Sequence, residues 1–210
     1  MEILKAISDR RAYRALSTEP LPADTIRRIV EAGTLAPSCY NNQPWRVVLH
    51  DVPVLTDGPQ TGAPSLARGD SLPLGALRES LAEGNAWATR APLIIALAVR
   101  ASDDCRLDDG RDYALFDAGL CAMNMITQAT AEGFVAHPIA GYNPKKAKAA
   151  LGIPAEYVLA TLIVVGGKGD PEAPDASPLK EWQLKSEREP RQRKPLGEVA
   201  FKGRWGEPLA

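Results

Sequence analysis

Two groups of basic residues lie near opposite ends of this 210-residue chain. The N-terminal arginine cluster consists of Arg10, Arg11 and Arg14 and follows an apolar helical pattern. The second group lies in the C-terminal tail and consists of Arg188, Arg191, Arg193 and Lys194. A guanidinium group donates hydrogen bonds in a fixed fork that matches phosphate oxygens, so each group is a candidate phosphate site. The alternatives are cations favoured at a helix C-terminus and a solvated tail. One dianionic group bound between the two would explain both.

A polar loop, residues 36–44, leads into the apolar segment WRVV. Pro37 and Pro44 stiffen it, and other side chains in it supply hydrogen-bonding groups: Ser38, Asn41, Asn42 and Gln43. Such an arc suits a flat heterocycle edged with carbonyl and imino groups, for example a flavin pyrimidine ring or a nucleobase. It equally suits a turn that satisfies its own polar groups and caps the following strand.

Common catalytic and nucleotide-binding patterns are missing from the sequence. It contains neither G-x-G-x-x-G after a strand nor a P-loop. His50 and His137 have no partner pattern typical of a catalytic triad or a zinc hydrolase. The three cysteines, Cys39, Cys105 and Cys121, are odd in number and lack C-x-x-C spacing, which argues against a disulfide framework or a zinc site. The reactive chemistry is therefore expected to come from a bound cofactor.

Composition narrows the choice of partners and location. A formal net charge of −1 gives no global basic field for nucleic acid or an anionic membrane. The longest apolar run, APLIIALAV, is far shorter than the roughly 20 residues of a membrane-spanning helix. The N-terminus is charged and lacks the apolar core of a signal peptide. We therefore expect a cytoplasmic protein that binds no nucleic acid and no membrane.

Hydrophobic patterning predicts an α+β fold. Strands are predicted at 45–50, 92–99 and 156–167, and helices at 2–9, 23–36, 76–90, 113–132 and 145–152. The helix at 113–132 is apolar nearly all round, which is typical of a fully buried helix. Residues 51–72 are rich in Gly, Pro, Ser and Asp and are predicted to form a surface excursion. We predict one domain over residues 1–170 and an extended arm over 171–210, which is too polar to bury a core of its own.

Four sequence blocks together resemble the FMN-dependent nitroreductase family. They are RRAYR, APSCYNNQPWRVV, HPIAGYNP and RQRKPL, and they occur in that family's order and spacing. The resemblance implies a three-layer α+β sandwich whose central mixed or antiparallel sheet is flanked by helices. It also implies an intertwined homodimer that exchanges its C-terminal arms and binds FMN at the subunit interface.

The resemblance also assigns roles to individual residues. Two groups of residues are expected to hold the FMN phosphate and ribityl chain. The first is Arg10, Arg11, Ala12 and Arg14, and the second is Arg191 and Arg193. The loop expected to reach the flavin from the partner subunit contributes Pro37, Ser38, Cys39, Asn41 and Gln43. Asn85 is expected to face the pyrimidine edge. The stretch expected against the ring is Pro138, Ile139, Ala140 and Gly141, with the backbone N–H of Ala140 near flavin N5.

Three positions depart from the family pattern. Ala12 replaces the usual Ser, and Ala140 stands where some subfamilies have Glu. Cys39 replaces a small hydroxyl residue, and its thiol either packs as a small side chain or takes part in redox chemistry.

The function implied by the resemblance is transfer of hydride from NADH or NADPH, through FMN, to a small-molecule acceptor. Nitroaromatics, quinones and related compounds are the expected acceptors, in a ping-pong mechanism. Two alternatives stay open: a specialised flavin dehydrogenase or oxidase of the same fold, and a flavin-binding or regulatory protein without turnover.

Overall fold

The computed structural model describes residues 2–51, 74–173 and 176–209. The surface excursion predicted for residues 51–72 lies outside the described residues, apart from its first residue. The described chain divides into two compact units, Met1–Leu179 and Lys180–Ala210.

A four-stranded sheet forms the centre of the first unit. Its strands are β1 (Trp45–Asp51), β2 (Leu93–Val99), β3 (Val135–Ile139) and β4 (Val158–Gly166). They lie in the order β1-β2-β4-β3, and each neighbouring pair is antiparallel. Of the two predicted sheet types, mixed or antiparallel, the described strands form the antiparallel one. Both central strands, β2 and β4, coincide with the apolar runs in the sequence, as expected for strands buried on both faces.

The two faces of the sheet bury two separate cores. On β2, Leu93, Ile95 and Leu97 face one core, whereas Ile94 and Ala96 face the other. This alternation follows from the two-residue period of a strand. The predicted α+β sandwich with a sheet between two helical layers is therefore confirmed.

Helices of the first unit flank this sheet. They are α1 (Lys5–Asp9), α2 (Ala23–Thr34), α3 (Leu74–Arg78), α4 (Ala114–Ala131) and α5 (Pro144–Leu151). The helices α2 and α4 cover the first core, while α3 and α5 cover the second. Close packing of α2 on α4 depends on Gly33, where an added Cβ would lie 2.7 Å from Met125 Cγ. Gly133 follows α4 with a φ of 84°, the left-handed conformation expected of a helix end.

Two helix predictions need correction. The helix predicted at 76–90 is split into α3 and a 3₁₀ segment, Glu83–Arg90. It breaks because the Ala82 N–H donates to the carbonyl of Gly141 (2.9 Å), outside the helix. The helix α4 is not buried all round, since Leu115 and Phe116 are 57% and 60% exposed. An apolar surface is therefore present on α4, the longest helix among the described residues of the first unit.

The second unit lies within residues 171–210, which were predicted to form an extended arm. It contains α6 (Glu181–Arg188) and α7 (Leu196–Val199). The Lys180 N–H donates to Oε1 of Gln183 (2.8 Å), which satisfies a free donor at the start of α6. The rings of Phe201 and Trp205 lie 4.9 Å apart. No described helix of either unit is long and apolar enough to cross a membrane.

Candidate functional site

The segment that carries the N-terminal arginine cluster is held by backbone hydrogen bonds beyond the end of β4. The Ser17 N–H donates to Gly167 O, and the Gly169 N–H donates to Ala15 O, each at 2.9 Å. Gly169 permits this contact because an added Cβ would lie 2.7 Å from the carbonyl carbon of Leu16. On β3, His137 Nδ1 lies 3.2 Å from the carbonyl oxygen of Tyr13, to which it donates. The cluster is therefore fixed against both β4 and β3.

The pKa of His137 is affected by burial and by the charges of this arginine cluster. Burial, together with the positive charges of Arg14 and Arg10, lowers the pKa of His137 to about 4, although its hydrogen bond to Tyr13 acts in the opposite direction. His137 is therefore neutral at neutral pH, and the fixed positive charge of this region belongs to arginine. Because His137 directly precedes Pro138, the structure brings Arg10 and Arg14 together with the 138–141 segment.

The 138–141 segment ends β3 at the edge of the sheet. Ile139 is buried, whereas Pro138 and Ala140 are exposed. Thr161 Oγ1 donates to the carbonyl of Ile139 (3.1 Å), and the Tyr142 N–H donates to the carbonyl of Ala140 (3.0 Å). Ala140 therefore presents its backbone at a fixed position directly after an edge strand, where main-chain groups remain available to a ligand.

Asn85 anchors the turn that follows Ala140. Its Nδ2 donates to the carbonyl of Gly141 (3.0 Å), and its Oδ1 accepts from Nε1 of Trp87 (3.3 Å). The Trp87 ring in turn stacks on His137, with ring centroids 4.8 Å apart. A Cβ on Gly141 would lie 2.6 Å from Asn85 Nδ2, so this contact requires glycine. The amide that the resemblance directs at a flavin thus also positions the backbone beside it.

The polar loop partly satisfies its own hydrogen-bonding groups. The Gln43 N–H donates to Ser38 Oγ (2.9 Å), and Gln43 Nε2 donates to the carbonyl of Asn41 (3.3 Å). The side-chain amide of Asn41 is exposed and makes no hydrogen bond to any described residue. Tyr40, Asn41 and Gln43 have φ values of 48°, 58° and 50°, in the left-handed region that non-glycine residues rarely adopt. The loop thus satisfies some of its own hydrogen-bonding groups and also exposes the side-chain amide of Asn41, which could bind a ligand.

A disulfide ties this loop to the segment between β2 and α4, contrary to the prediction from cysteine spacing. Cys39 and Cys105 are bonded, with an S–S distance of 2.07 Å. They are 66 residues apart in sequence, a separation that carries no recognisable spacing signal. The odd cysteine, Cys121, is free and buried. Cys39 is therefore neither a free thiol nor a simple packing residue.

A buried carboxyl group lies beneath the disulfide. Asp117 on α4 is 2% exposed, and its Oδ2 accepts a hydrogen bond from the Cys39 N–H (2.7 Å). Burial raises the pKa of Asp117, and the carboxyl of Asp104 raises it further, against the effect of the Cys39 N–H. Asp104 Oδ1 accepts from Asn42 Nδ2 (3.3 Å). The other carboxylate oxygen of Asp104, Oδ2, is buried.

One chain does not bring the polar loop and the 138–141 segment together. The loop leads into β1 and the segment follows β3, and these strands form opposite edges of the sheet. Two strands lie between them, so three strand spacings of about 4.8 Å separate the edges by roughly 14 Å. The predicted flavin contacts therefore fall into two separate halves on a single subunit.

The remaining residues that were predicted to belong to the site lie in both units. Ala12 and Arg11 are half-buried within the arginine segment, where Arg14 Nη1 donates to the carbonyl of Ala12 (3.4 Å). Arg191 and Arg193 lie in the second unit between α6 and α7 and are exposed.

Several residues near the candidate site were not predicted from the sequence to belong to it. Trp87 and His137 support the 138–141 segment, and Lys168 lies over the Tyr13 ring, 4.4 Å from its centroid. Arg90 lines a small crevice together with Arg14. Among them, Asp117 has the clearest sequence signal, because it is the one acidic residue in the mostly apolar stretch ALFDAGLCAMNM.

Comparison with known proteins identifies a matching family and two relatives. The model of the nitroreductase family matches residues 7–168. An uncharacterized 15.4 kDa protein of Mycolicibacterium smegmatis is 32% identical over 152 residues, which cover 72% of this chain and 95% of the relative. A protein of Thermus thermophilus named NADH dehydrogenase is 26% identical over 75% of this chain and 82% of its own length.

Solved structures share the fold over almost the entire chain. A crystal structure described as an oxidoreductase containing FMN superposes with a TM-score of 0.75 and 27% identity, covering 99% of this chain and 94% of that one. A nitroreductase family protein from Clostridium difficile superposes with a TM-score of 0.71 and 18% identity, covering 97% and 99%. The second similarity concerns the fold alone.

Proposed function

Because this chain belongs to the nitroreductase family, we propose that it is an FMN-dependent NAD(P)H oxidoreductase. Bound FMN would supply a two-electron carrier that takes hydride at N5 from NADH or NADPH and passes it to a nitroaromatic, quinone or related acceptor. The presence of FMN in a solved structure 27% identical to this chain supports the cofactor. The name of the Thermus thermophilus relative supports the donor.

The observation that carries this proposal is the placement of arginine charge beside an exposed sheet edge. Arg10 and Arg14 act on His137 electrostatically, and His137 is followed at once by Pro138 and the exposed Ala140. A phosphate-bearing ligand with a flat ring needs a cationic end and an accessible backbone edge. Both are present here on one rigid support, so the residues fit FMN.

The roles we propose follow this arrangement. Arg10, Arg11, Ala12 and Arg14 would hold the phosphate and ribityl chain, with Arg191 and Arg193 of the C-terminal arm completing the phosphate contacts. Asn85, Pro138, Ile139, Ala140 and Gly141 would hold the ring, with the Ala140 N–H directed to N5. Asn85 fixes that backbone through Gly141, which pre-organises the donor before a substrate arrives.

We propose that a second subunit completes each site. The polar loop lies at the sheet edge opposite the 138–141 segment, so the contacts expected from Pro37, Ser38, Cys39, Asn41 and Gln43 would come from the partner. The exposed apolar residues Leu115 and Phe116 on α4 support a homodimer, because large apolar side chains on one helix favour burial against another surface.

The side chains near Ala140 explain why donor and acceptor would share one site. Ala140 brings no ionisable group, and His137 is held neutral and hydrogen-bonded to the backbone. The protein therefore binds and orients, while protons for the acceptor would come from water. An open, shared position permits one substrate to leave before the next binds, which is a ping-pong mechanism.

Anaerobic spectroscopy tests this function. FMN-loaded protein should lose its visible flavin absorbance on addition of NADH or NADPH and regain it on addition of a nitroaromatic or a quinone. Initial rates should give parallel double-reciprocal lines for donor and acceptor. Flavin that stays oxidised with both nicotinamide donors would instead favour the specialised dehydrogenase or oxidase.

A further inference from the structure

The Cys39–Cys105 disulfide joins the polar loop to a separate part of the fold. Cys39 begins the 3₁₀ turn Cys39–Asn41 in that loop, and Cys105 follows the 3₁₀ turn Ala101–Asp103 after β2. The Cα atoms of the two cysteines are 5.9 Å apart. This is the only covalent cross-link in the described part of the chain, and it lies within the loop that we assign to the flavin.

Non-covalent contacts at the same place reinforce this link. The Cys39 N–H donates to the buried Asp117, and Asn42 Nδ2 donates to Asp104, the residue directly before Cys105. The loop is therefore held by the covalent bond to Cys105 and by hydrogen bonds to Asp117 on α4 and to Asp104.

The backbone of the loop makes these ties necessary. Tyr40, Asn41 and Gln43 all adopt left-handed conformations, each of which costs free energy for a residue with a Cβ. Tyr40 is also 91% exposed, so packing of its side chain contributes little to holding the turn. A loop with three such residues keeps its shape only where surrounding contacts determine it. The disulfide is the strongest of those contacts.

We propose that Cys39–Cys105 is a reversible redox-modification site whose reduction releases the polar loop and weakens FMN binding. The proposal rests on the proposed function in one respect, namely that the loop contacts the flavin. The co-reactant is a dithiol, either a small molecule or a dithiol protein. Both cysteines are half-buried rather than enclosed in the core.

The exchange is balanced in atoms and electrons. A thiolate of the dithiol attacks one sulfur of the pair and forms a mixed disulfide, while the other cysteine leaves as a thiolate and takes up a proton. The second thiol of the same dithiol then breaks the mixed disulfide and becomes oxidised with the first. Two electrons and two protons thus pass to Cys39 and Cys105, and the dithiol becomes a disulfide.

Thermodynamic linkage gives the proposal a reciprocal consequence. If the disulfide increases FMN affinity by some factor, bound FMN must make the disulfide harder to reduce by the same factor. Couplings of this kind typically span about 5-fold to 150-fold in affinity. We expect a change of about tenfold here, because only part of the proposed flavin contact set lies in the polar loop.

The test compares oxidised and dithiothreitol-reduced wild-type protein, first without FMN. Denatured oxidised protein should show one reactive thiol, that of Cys121, and reduced protein should show three. Hydrogen exchange of residues 36–44 should become faster on reduction, while exchange in α4 stays unchanged. Three thiols in the oxidised protein, or a loop with equal exchange in both states, would overturn the proposal without reference to flavin.

FMN titration of the same two samples then tests the link to the site. We expect binding about tenfold weaker after reduction, and Cys105→Ser should match the reduced state without any reductant. Cys121→Ala is the matched control and should respond to dithiothreitol as wild type does. Equal FMN affinity in both redox states would overturn the inference but leave the proposed function intact. If neither the oxidised nor the reduced protein binds FMN, the proposed function is overturned, together with the claim that this loop affects FMN affinity.

Discussion

Asn85 Nδ2 donates a 3.0 Å hydrogen bond to the carbonyl of Gly141, across a contact that only a glycine allows. The same amide receives the indole N–H of Trp87, whose ring stacks on His137. Asn85 thereby connects the 3₁₀ segment Glu83–Arg90 to the turn after β3. In our account this connection holds Ala140 at a fixed position beside the flavin.

We predict that Asn85→Asp lowers kcat/KM by roughly tenfold and lowers the free energy of unfolding by about 1 kcal/mol. The carboxylate keeps an acceptor for Trp87 but cannot donate to Gly141. The Gly141 carbonyl then keeps only its hydrogen bond from the Ala82 N–H and lies beside a negatively charged oxygen. Steady-state kinetics and denaturant unfolding measure the two effects. Trp87→Phe is the contrasting variant, because it keeps the ring on His137 and the Gly141 bond. A kcat/KM loss as large in Trp87→Phe as in Asn85→Asp would contradict the role of the Gly141 bond.

If arginines from both ends of the chain bind the FMN phosphate, as we propose, Arg10→Ala combined with Arg193→Ala should release FMN. Each charge-assisted hydrogen bond contributes about 1.5–3 kcal/mol, so loss of two should weaken binding by at least a hundredfold. Flavin content after gel filtration and fluorescence titration are the measurements. Arg27→Ala is the matched control, since Arg27 pairs with Glu31 on the exposed surface of α2. Full flavin occupancy in the double variant would exclude the shared clamp.

His137 predicts a defined acid sensitivity. Its pKa is lowered to about 4 in the folded protein, against about 6.5 when unfolded, so below pH 6.5 the unfolded chain binds more protons than the folded one. Stability is therefore fully present above pH 6.5 and is lost as the pH falls toward 4, by up to about 3 kcal/mol. Urea unfolding at several pH values measures this slope.

His137→Phe provides the control for that slope. It keeps an aromatic ring for Trp87 and removes the titrating group, so unfolding between pH 6.5 and 4.5 should depend less on pH than in wild type. Glu132, whose pKa is lowered to about 2 chiefly by Arg28, affects a lower range and stays the same in both proteins. An unchanged slope in His137→Phe would show that another group is responsible.

The exposed face of α4 predicts that Phe116→Glu disrupts self-association. Phe116 is 60% exposed, and a carboxylate at this position would be costly to bury against another subunit. Sedimentation should show a dimer for wild type and a monomer for the variant, with FMN lost at the same time. Lys145→Glu, on the exposed surface of α5, should remain dimeric. A wild-type monomer that retains FMN would contradict the shared site.

Local patterns predicted those parts of the fold that depend on local hydrophobicity. The apolar runs at β2 and β4 and the capped helix α4 are visible in the sequence because burial and period determine them. The short edge strand β3 was not predicted, since Pro138 interrupts its pattern, yet an edge strand tolerates proline. The helix predicted at 76–90 breaks because Ala82 bonds to Gly141, 59 positions along the chain, and no local signal encodes that contact.

Part of the candidate site, like part of the fold, could be predicted from local sequence patterns. The arginine cluster and the 138–141 segment carry recognisable residue types, and the fold brings them together at His137. The Cys39–Cys105 bond was missed because it depends on tertiary proximity between two loops rather than on spacing. Asp117 and Trp87 escaped for the same reason, because each gains its role from a partner distant in sequence.

Subunit complementation tests the central claim of a flavin site shared between two sheet edges most directly. One variant, Arg10→Ala/Arg14→Ala, removes the β3 half of the site, and another, Asn41→Ala/Gln43→Ala, removes the polar-loop half. Each variant alone should show little acceptor-dependent NAD(P)H oxidation. Co-expressed with different tags, they form heterodimers that contain one intact and one doubly defective site, so random pairing should restore about a quarter of wild-type activity. Co-expressed protein no more active than either variant alone would contradict the shared site.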